Sequence, residues 1–180
     1  MSASDLVRPG SVPGAPRESS KPRNPLSRAR IERIADRTVA AFGVVFGLQT
    51  IPTAIAQQHV LVQPWGLVMT AVIFGGIVVT VLLAILQRWV KGAMAVLAVL
   101  YLVAIVSWPL VVSDPAAFTA DKPWIWFLCN VFTAFAAVAY PLWLAVVYTF
   151  VAPIAYGIVR ALPAGGGVGF ELAALDTIYA

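Results

Sequence analysis

Charge is scarce in this sequence. Only 11% of its 180 residues are Asp, Glu, Lys or Arg, against about 25% in ordinary soluble domains. With 61% hydrophobic residues and a mean hydropathy of +0.88, the chain has too little polar surface to cover a water-soluble globule. A polytopic membrane protein is the class that fits. Cysteine is nearly absent too: Cys129, inside an apolar run, is the single one, so no disulfide can form within these residues and the redox compartment goes unreported. One histidine, His59, lies far from it, and the two make no metal site. No acid falls within a span, which removes the proton relay that ion-coupled pumps use. There is no Ser/His/Asp set and no pair of carboxylates within reach of each other. The expectation is therefore no enzyme active site in this chain, with no catalytic residue, no cofactor and no metal.

Apolar length is abundant. From Pro123 to Arg160 the sequence reads PWIWFLCNVFTAFAAVAYPLWLAVVYTFVAPIAYGIVR, with no charge between Lys122 and Arg160. As one helix it would run about 55 Å at 1.5 Å per residue, too long for a hydrocarbon core of about 30 Å. Proline removes an intrahelical hydrogen bond and disfavours helix in the residue before it. The break is therefore expected at Ala139-Tyr140-Pro141, giving a helical hairpin.

The positive charge is at the other end. The first 37 residues hold eight Lys/Arg and four acids; the remaining 143 hold four of each sign. A basic tail can bind nucleic acid. Here it holds no aromatic residue and its charges stop where the first span begins, which fits retention on the cytoplasmic side by the positive-inside rule. No nucleic-acid partner is expected.

The fold class expected is all-α, a polytopic helix bundle with five spans and the start of a sixth. Residues 1–25, rich in Ser, Pro, Gly and Arg, read as a disordered basic cytoplasmic tail. They are no signal peptide, because the apolar region begins too late. Residues 26–37 read as a juxtamembrane amphipathic helix, capped by Ser27 and beginning at Arg28, with its arginines at anionic headgroups. The bundle covers 38–162, with spans at about 38–56, 65–86, 93–112, 124–140 and 142–159. Gln57–Pro64 reads as an outer loop, in which His59 is more simply a loop residue than a pH sensor. Gln87, Arg88 and Lys91 form an inner loop, and Ser113–Lys122 an outer one. Residues 163–169 read as a flexible glycine-rich loop; it lacks the GK[ST] ending of a phosphate loop. Residues 170–180 would reach about 16 Å as a helix, half a membrane. They read as a surface helix or, better, the start of a truncated sixth span. Trp65, Trp89, Trp108, Trp124, Trp126 and Trp143 fall at or near span ends, as residues anchored at headgroup level do. One tension remains: two spans after Pro123 put Arg160 outside, where it would cap span five, whereas one long kinked span would put it inside. Length favours two.

Four features stand out inside the spans. Gly43 and Gly47, extended at helical spacing by Thr50 and Ala54, form a stripe that lets helices approach closely; packing within the chain is favoured over a dimer seam. Pro52 is expected to kink span one. Asn130 and Thr133, continued by Ala134 and Ala137, form a hydrogen-bonding face suited to helix contact or, alternatively, to a lipid or small-molecule pocket. Tyr148 and Tyr156 share a face of span five and could bond into it. Pro141 and Pro153 are candidate hinges.

The runs PWIWFLCN, AVAYPLWLAVVYTFVAPIAYGIVRALPAGGG and LDTIYA resemble the membrane sensor region of actinobacterial sensor histidine kinases and related ATP-binding proteins. The resemblance covers roughly residues 38–180 and carries no catalytic motif. It implies a plasma-membrane input module of about six spans in a two-component signalling protein, leading into a cytoplasmic kinase domain. Neither a phosphoacceptor histidine nor nucleotide-binding boxes match in this sequence, so kinase activity passes to no residue here. A homodimer or a membrane-protein partner is expected, with the ligand unspecified. The competing expectation is a small stand-alone membrane protein that stabilises a partner complex or transporter; a transporter subunit ranks below both because the spans lack charge.

Overall fold

The computed structural model describes residues 25–179, with side chains from Ala29 onward; the expected disordered tail lies outside the described residues, apart from Pro25. Six α-helices make up the fold: α1 (Pro25–Ala56), α2 (Trp65–Leu86), α3 (Val90–Val111), α4 (Cys129–Ala139), α5 (Leu142–Ala161) and α6 (Phe170–Tyr179). No β-strand occurs among the described residues, although an isolated bridge joins Leu61 to Val112. Four helices (α1, α2, α3 and α5) are long and apolar enough to cross a membrane, and the segment Trp124–Ala139 is a shorter apolar one.

α1 begins three residues earlier than expected. Pro25 opens it, where a missing N–H costs nothing, so Ser27 lies inside the helix and is not its cap. The amphipathic stretch and the first long apolar stretch are one continuous helix, which also runs through Pro52. Between α2 and α3, Gln87 and Trp89 both take left-handed backbone conformations (φ 55° and 58°). The turn is so short that Lys91 is already helical.

α4 is the axis of the bundle, packed against α1, α3 and α5. It is preceded by a 3-10 segment, Trp124–Leu128, and ends at Ala139. Tyr140 is extended at φ −99°, ψ 158°, as the residue before proline is pushed to be. Its hydroxyl donates to the Ala95 carbonyl at 2.7 Å, which fastens the corner to the start of α3. Val131, Phe132, Phe135 and Ala136 are fully buried. Tyr101 of α3 stacks on Phe132 with centroids 4.4 Å apart and donates to the Ile125 carbonyl.

The Gly43, Gly47, Thr50 and Ala54 stripe is buried inside the chain. A Cβ at Gly43 would come within 2.9 Å of Phe135 of α4, and one at Gly47 within 3.6 Å of Ile77 of α2. The Thr50 hydroxyl bonds the Phe46 carbonyl of its own helix. Because α2 and α4 occupy this seam, it is not open to a second copy.

Two tryptophans depart from the headgroup expectation. Trp65, Trp89 and Trp143 are exposed, but Trp108 and Trp124 are fully buried. They meet edge-on at 6.3 Å, and Trp108 also packs against Phe118. Their sequence positions at helix ends are as expected. Their rings face inward: Trp108 is covered by Phe118 of the 113–123 connection, and Trp124 packs against Phe74 of α2.

Candidate functional site

Lone charges in an apolar chain must find partners or water. At the end of the bundle away from the N-terminus of α1, three of them converge. Arg160, in the last turn of α5, is 1% exposed, and Asp176 of α6 is 2% exposed. The Arg160 Nε meets Asp176 Oδ2 at 3.4 Å, and Lys122 Nζ meets Asp176 Oδ1 at 2.9 Å. Arg160 also donates through a terminal guanidinium nitrogen to the Phe118 carbonyl. Lys122 lies 3.8 Å over the Trp126 ring, and the Trp126 indole N–H donates to the Asp176 carbonyl at 3.1 Å. A cation on an aromatic face adds about 0.5–1 kcal/mol at partly exposed sites.

Second contacts tie this cluster to Gln57, the first residue after α1. Gln57 donates its amide to the Lys122 carbonyl at 2.9 Å and accepts from the Trp124 N–H at 2.8 Å. One side chain thus clamps both sides of Pro123 and sets where the descent towards α4 begins.

The glycine-rich stretch is a fitted collar around Arg160. Gly166 has φ +131°, a conformation that L side chains rarely adopt, and a Cβ there would lie 2.7 Å from an Arg160 guanidinium nitrogen. A Cβ at Gly165 would lie 1.8 Å from the Val159 carbonyl oxygen. The Val168 N–H returns to the Arg160 carbonyl at 3.2 Å. Beyond this collar α6 turns back along α5, and Gly157 leaves the space that Thr177 fills. Arg160 therefore does not cap α5 towards solvent. It is buried in a salt-bridged cluster made by α5, α6 and the 113–122 connection.

The residues singled out from the sequence fall into two separate places. Asn130 is exposed, and the Thr133 hydroxyl bonds the Asn130 carbonyl of its own helix. Both line a groove of about 390 Å³ together with Thr149, Pro153 and Thr177. Asn130 also borders a second groove of about 200 Å³ with Gln49, Thr53 and Tyr179. Tyr148 points the other way, donating to the Ala98 carbonyl of α3 at 2.8 Å. Tyr156 is buried, and its hydroxyl has no hydrogen-bond partner among the described residues. The tyrosines and the Asn130 face do not meet, because α5 turns its tyrosine side inward. Pro141 is the first residue before α5, and Pro153 lies within it.

Arg160, Asp176, Lys122 and Gln57 were not among those residues. The available signal was opposite charges at Arg160 and Asp176 on either side of Gly165-Gly166-Gly167, a reversal that brings them onto facing helices. No group of acids, histidines or cysteines among the described residues could hold a metal ion.

These features define an all-helical chain with helices suited to a multi-pass membrane protein and a salt-bridged cluster fastening its last described helix. No protein-family model matches this chain, and neither a curated protein nor a solved structure does so.

Proposed function

We propose that this chain is the membrane-embedded input module of a histidine-kinase-like signalling protein. In this reading it is a multi-pass plasma-membrane protein with a cytoplasmic N-terminus, works as a homodimer, and holds no catalytic residue of its own. α6 is the start of a sixth span that carries the signal onward. The observation that supports it is the cluster of Arg160, Asp176 and Lys122. Arg160 and Asp176, the sole buried cation–carboxylate pair among the described residues, join α6 to α5, and the half-exposed Lys122 joins Asp176 to an interhelical connection. Breaking such a pair from one side typically costs about 3–5 kcal/mol, so a stimulus that separates it would free the last helix from the one position that the pair holds. A stimulus acting on the 113–122 connection would reach α6 through Lys122 and Phe118. The resemblance of residues 38–180 to sensor-kinase membrane regions points the same way.

The experiment is to detect the native protein in its own membranes with an antibody to Met1–Pro25 and to assay the detected species for ATP-dependent autophosphorylation. A species far above 19.2 kDa that labels from ATP is expected. A band at 19.2 kDa, or a longer protein that does not label, would overturn the kinase reading.

A second reading has its own observation. Gln49 and Asn130 are exposed polar side chains bordering one groove between α1, α4 and α6, and polar side chains in lipid join helices. A small stand-alone protein that docks a partner's span there would co-purify with one stoichiometric partner.

A further inference from the structure

The opposite end of the bundle carries a polar cleft, and its arginines belong to the stretch expected at anionic headgroups. It measures about 110 Å³ and lies between α1 and the α2–α3 turn, lined by Arg33, Asp36, Arg37, Ala84, Gln87 and Val90. Helical spacing puts Arg33, Asp36 and Arg37 on one face. The Nε of Arg33 bonds the Ala29 carbonyl of its own helix, which leaves its terminal nitrogens for another acceptor. Arg37 has no hydrogen-bond partner among the described residues. One carboxylate oxygen of Asp36 is buried without a donor, and an unsatisfied buried acceptor is unfavourable.

Charge and donors together specify the ligand. Two guanidinium groups match a phosphodiester, which they bind in fork geometry. Asp36 needs a hydrogen-bond donor, which the phosphate itself cannot supply. With two arginines and one aspartate, the lining carries a net charge of +1. Lys91, on the adjoining turn of α3, is engaged with Glu32 at 3.2 Å, and Ala84, Gln87 and Val90, which α2, α3 and their turn give to the lining, carry no charge. Trp89, 80% exposed in the adjoining turn, has the amphipathic ring that favours headgroup level.

We propose that this cleft binds the headgroup of phosphatidylglycerol or a close analogue: an anionic phosphodiester with Arg33 and Arg37, and a headgroup hydroxyl donating to Asp36. The phosphate balances the net charge, and the hydroxyl satisfies the orphan oxygen. A generic attraction of arginines for anionic lipid would explain the first and not the second.

The test uses the full chain in detergent, with lipid retention read by native mass spectrometry. The probes are phosphatidylglycerol, phosphatidylmethanol (equal in charge but without a hydroxyl) and phosphatidylcholine. Retention of phosphatidylglycerol over phosphatidylcholine should be on the order of twentyfold, from a factor of about five for each arginine. Phosphatidylglycerol should also exceed phosphatidylmethanol. Replacing both Arg33→Gln and Arg37→Gln should bring the anionic lipids down to the phosphatidylcholine level. Asp36→Leu should equalise the two anionic lipids while both still exceed phosphatidylcholine. Equal retention of the two anionic lipids by the parent chain would overturn the proposal. So would displacement by millimolar inorganic phosphate, which would mark a soluble-anion site, or a double-arginine variant that retains lipid as before.

Discussion

The two ends of the bundle use charge in opposite ways. At the end bearing the N-terminus of α1, charges stay near water. Lys91 and Glu32 form a pair whose side chains are 48% and 45% exposed, and Arg33 and Arg37 stand around an open cleft. At the far end, Arg160 and Asp176 are withdrawn from water almost completely. Exposed pairs contribute about 0–1 kcal/mol, so the first set does little to hold the fold. Buried pairs are costly to assemble and costlier to break, so the second set fixes one arrangement of α6. A chain with 11% charged residues thus leaves one set near water and withdraws the other.

The contrast breaks most sharply at Asp176. Asp176→Asn or Arg160→Gln should each destabilise the protein by about 3–5 kcal/mol, through an uncompensated buried charge, read as thermal melting in lipid nanodiscs. The double variant Arg160→Leu, Asp176→Leu should recover most of that loss. If it melts no higher than the single variants, burial of the pair is not what they disturb. A smaller loss, about 1–3 kcal/mol from overpacking, is expected for Gly157→Ala, whose new Cβ would lie 1.9 Å from the Thr177 hydroxyl oxygen. Smallest is Lys91→Gln at the opposite end. It should change stability by less than about 1 kcal/mol and by nothing measurable at 1 M salt, where the screening length is about 3 Å. A large effect there would erase the distinction between the two ends.

Much of this arrangement was legible as sequence. Uninterrupted apolar length marks α2, whose bounds Trp65–Leu86 coincide with the expected span. Tyr140-Pro141 marks the corner because proline constrains its predecessor whatever the tertiary setting. Spacing alone placed Gly43 and Gly47 on a contact stripe. What spacing could not supply is the direction in which a side chain faces once three helices surround it. Trp108 and Trp124 resemble headgroup anchors until Phe118 and Phe74 pack against them. Tyr148 and Asn130 could share a pocket on a helical wheel, but Tyr148 faces α3, where it bonds the Ala98 carbonyl, while Asn130 lies on the exposed face of α4. Arg160 presents the same difficulty: along the chain it is a lone cation at a helix end, and its partner lies across a glycine collar whose tight course depends on the guanidinium it surrounds.

The Arg160–Asp176 pair holds α6 against the bundle. The most direct measurement is thiol accessibility at Ala173, a residue of α6 that is 4% exposed. Cys129→Ala first removes the native thiol, and Ala173→Cys then reports on α6 in detergent with a water-soluble maleimide. The pair predicts slow labelling in this background and fast labelling once Asp176→Asn is added. Equal labelling rates in the two backgrounds would contradict it.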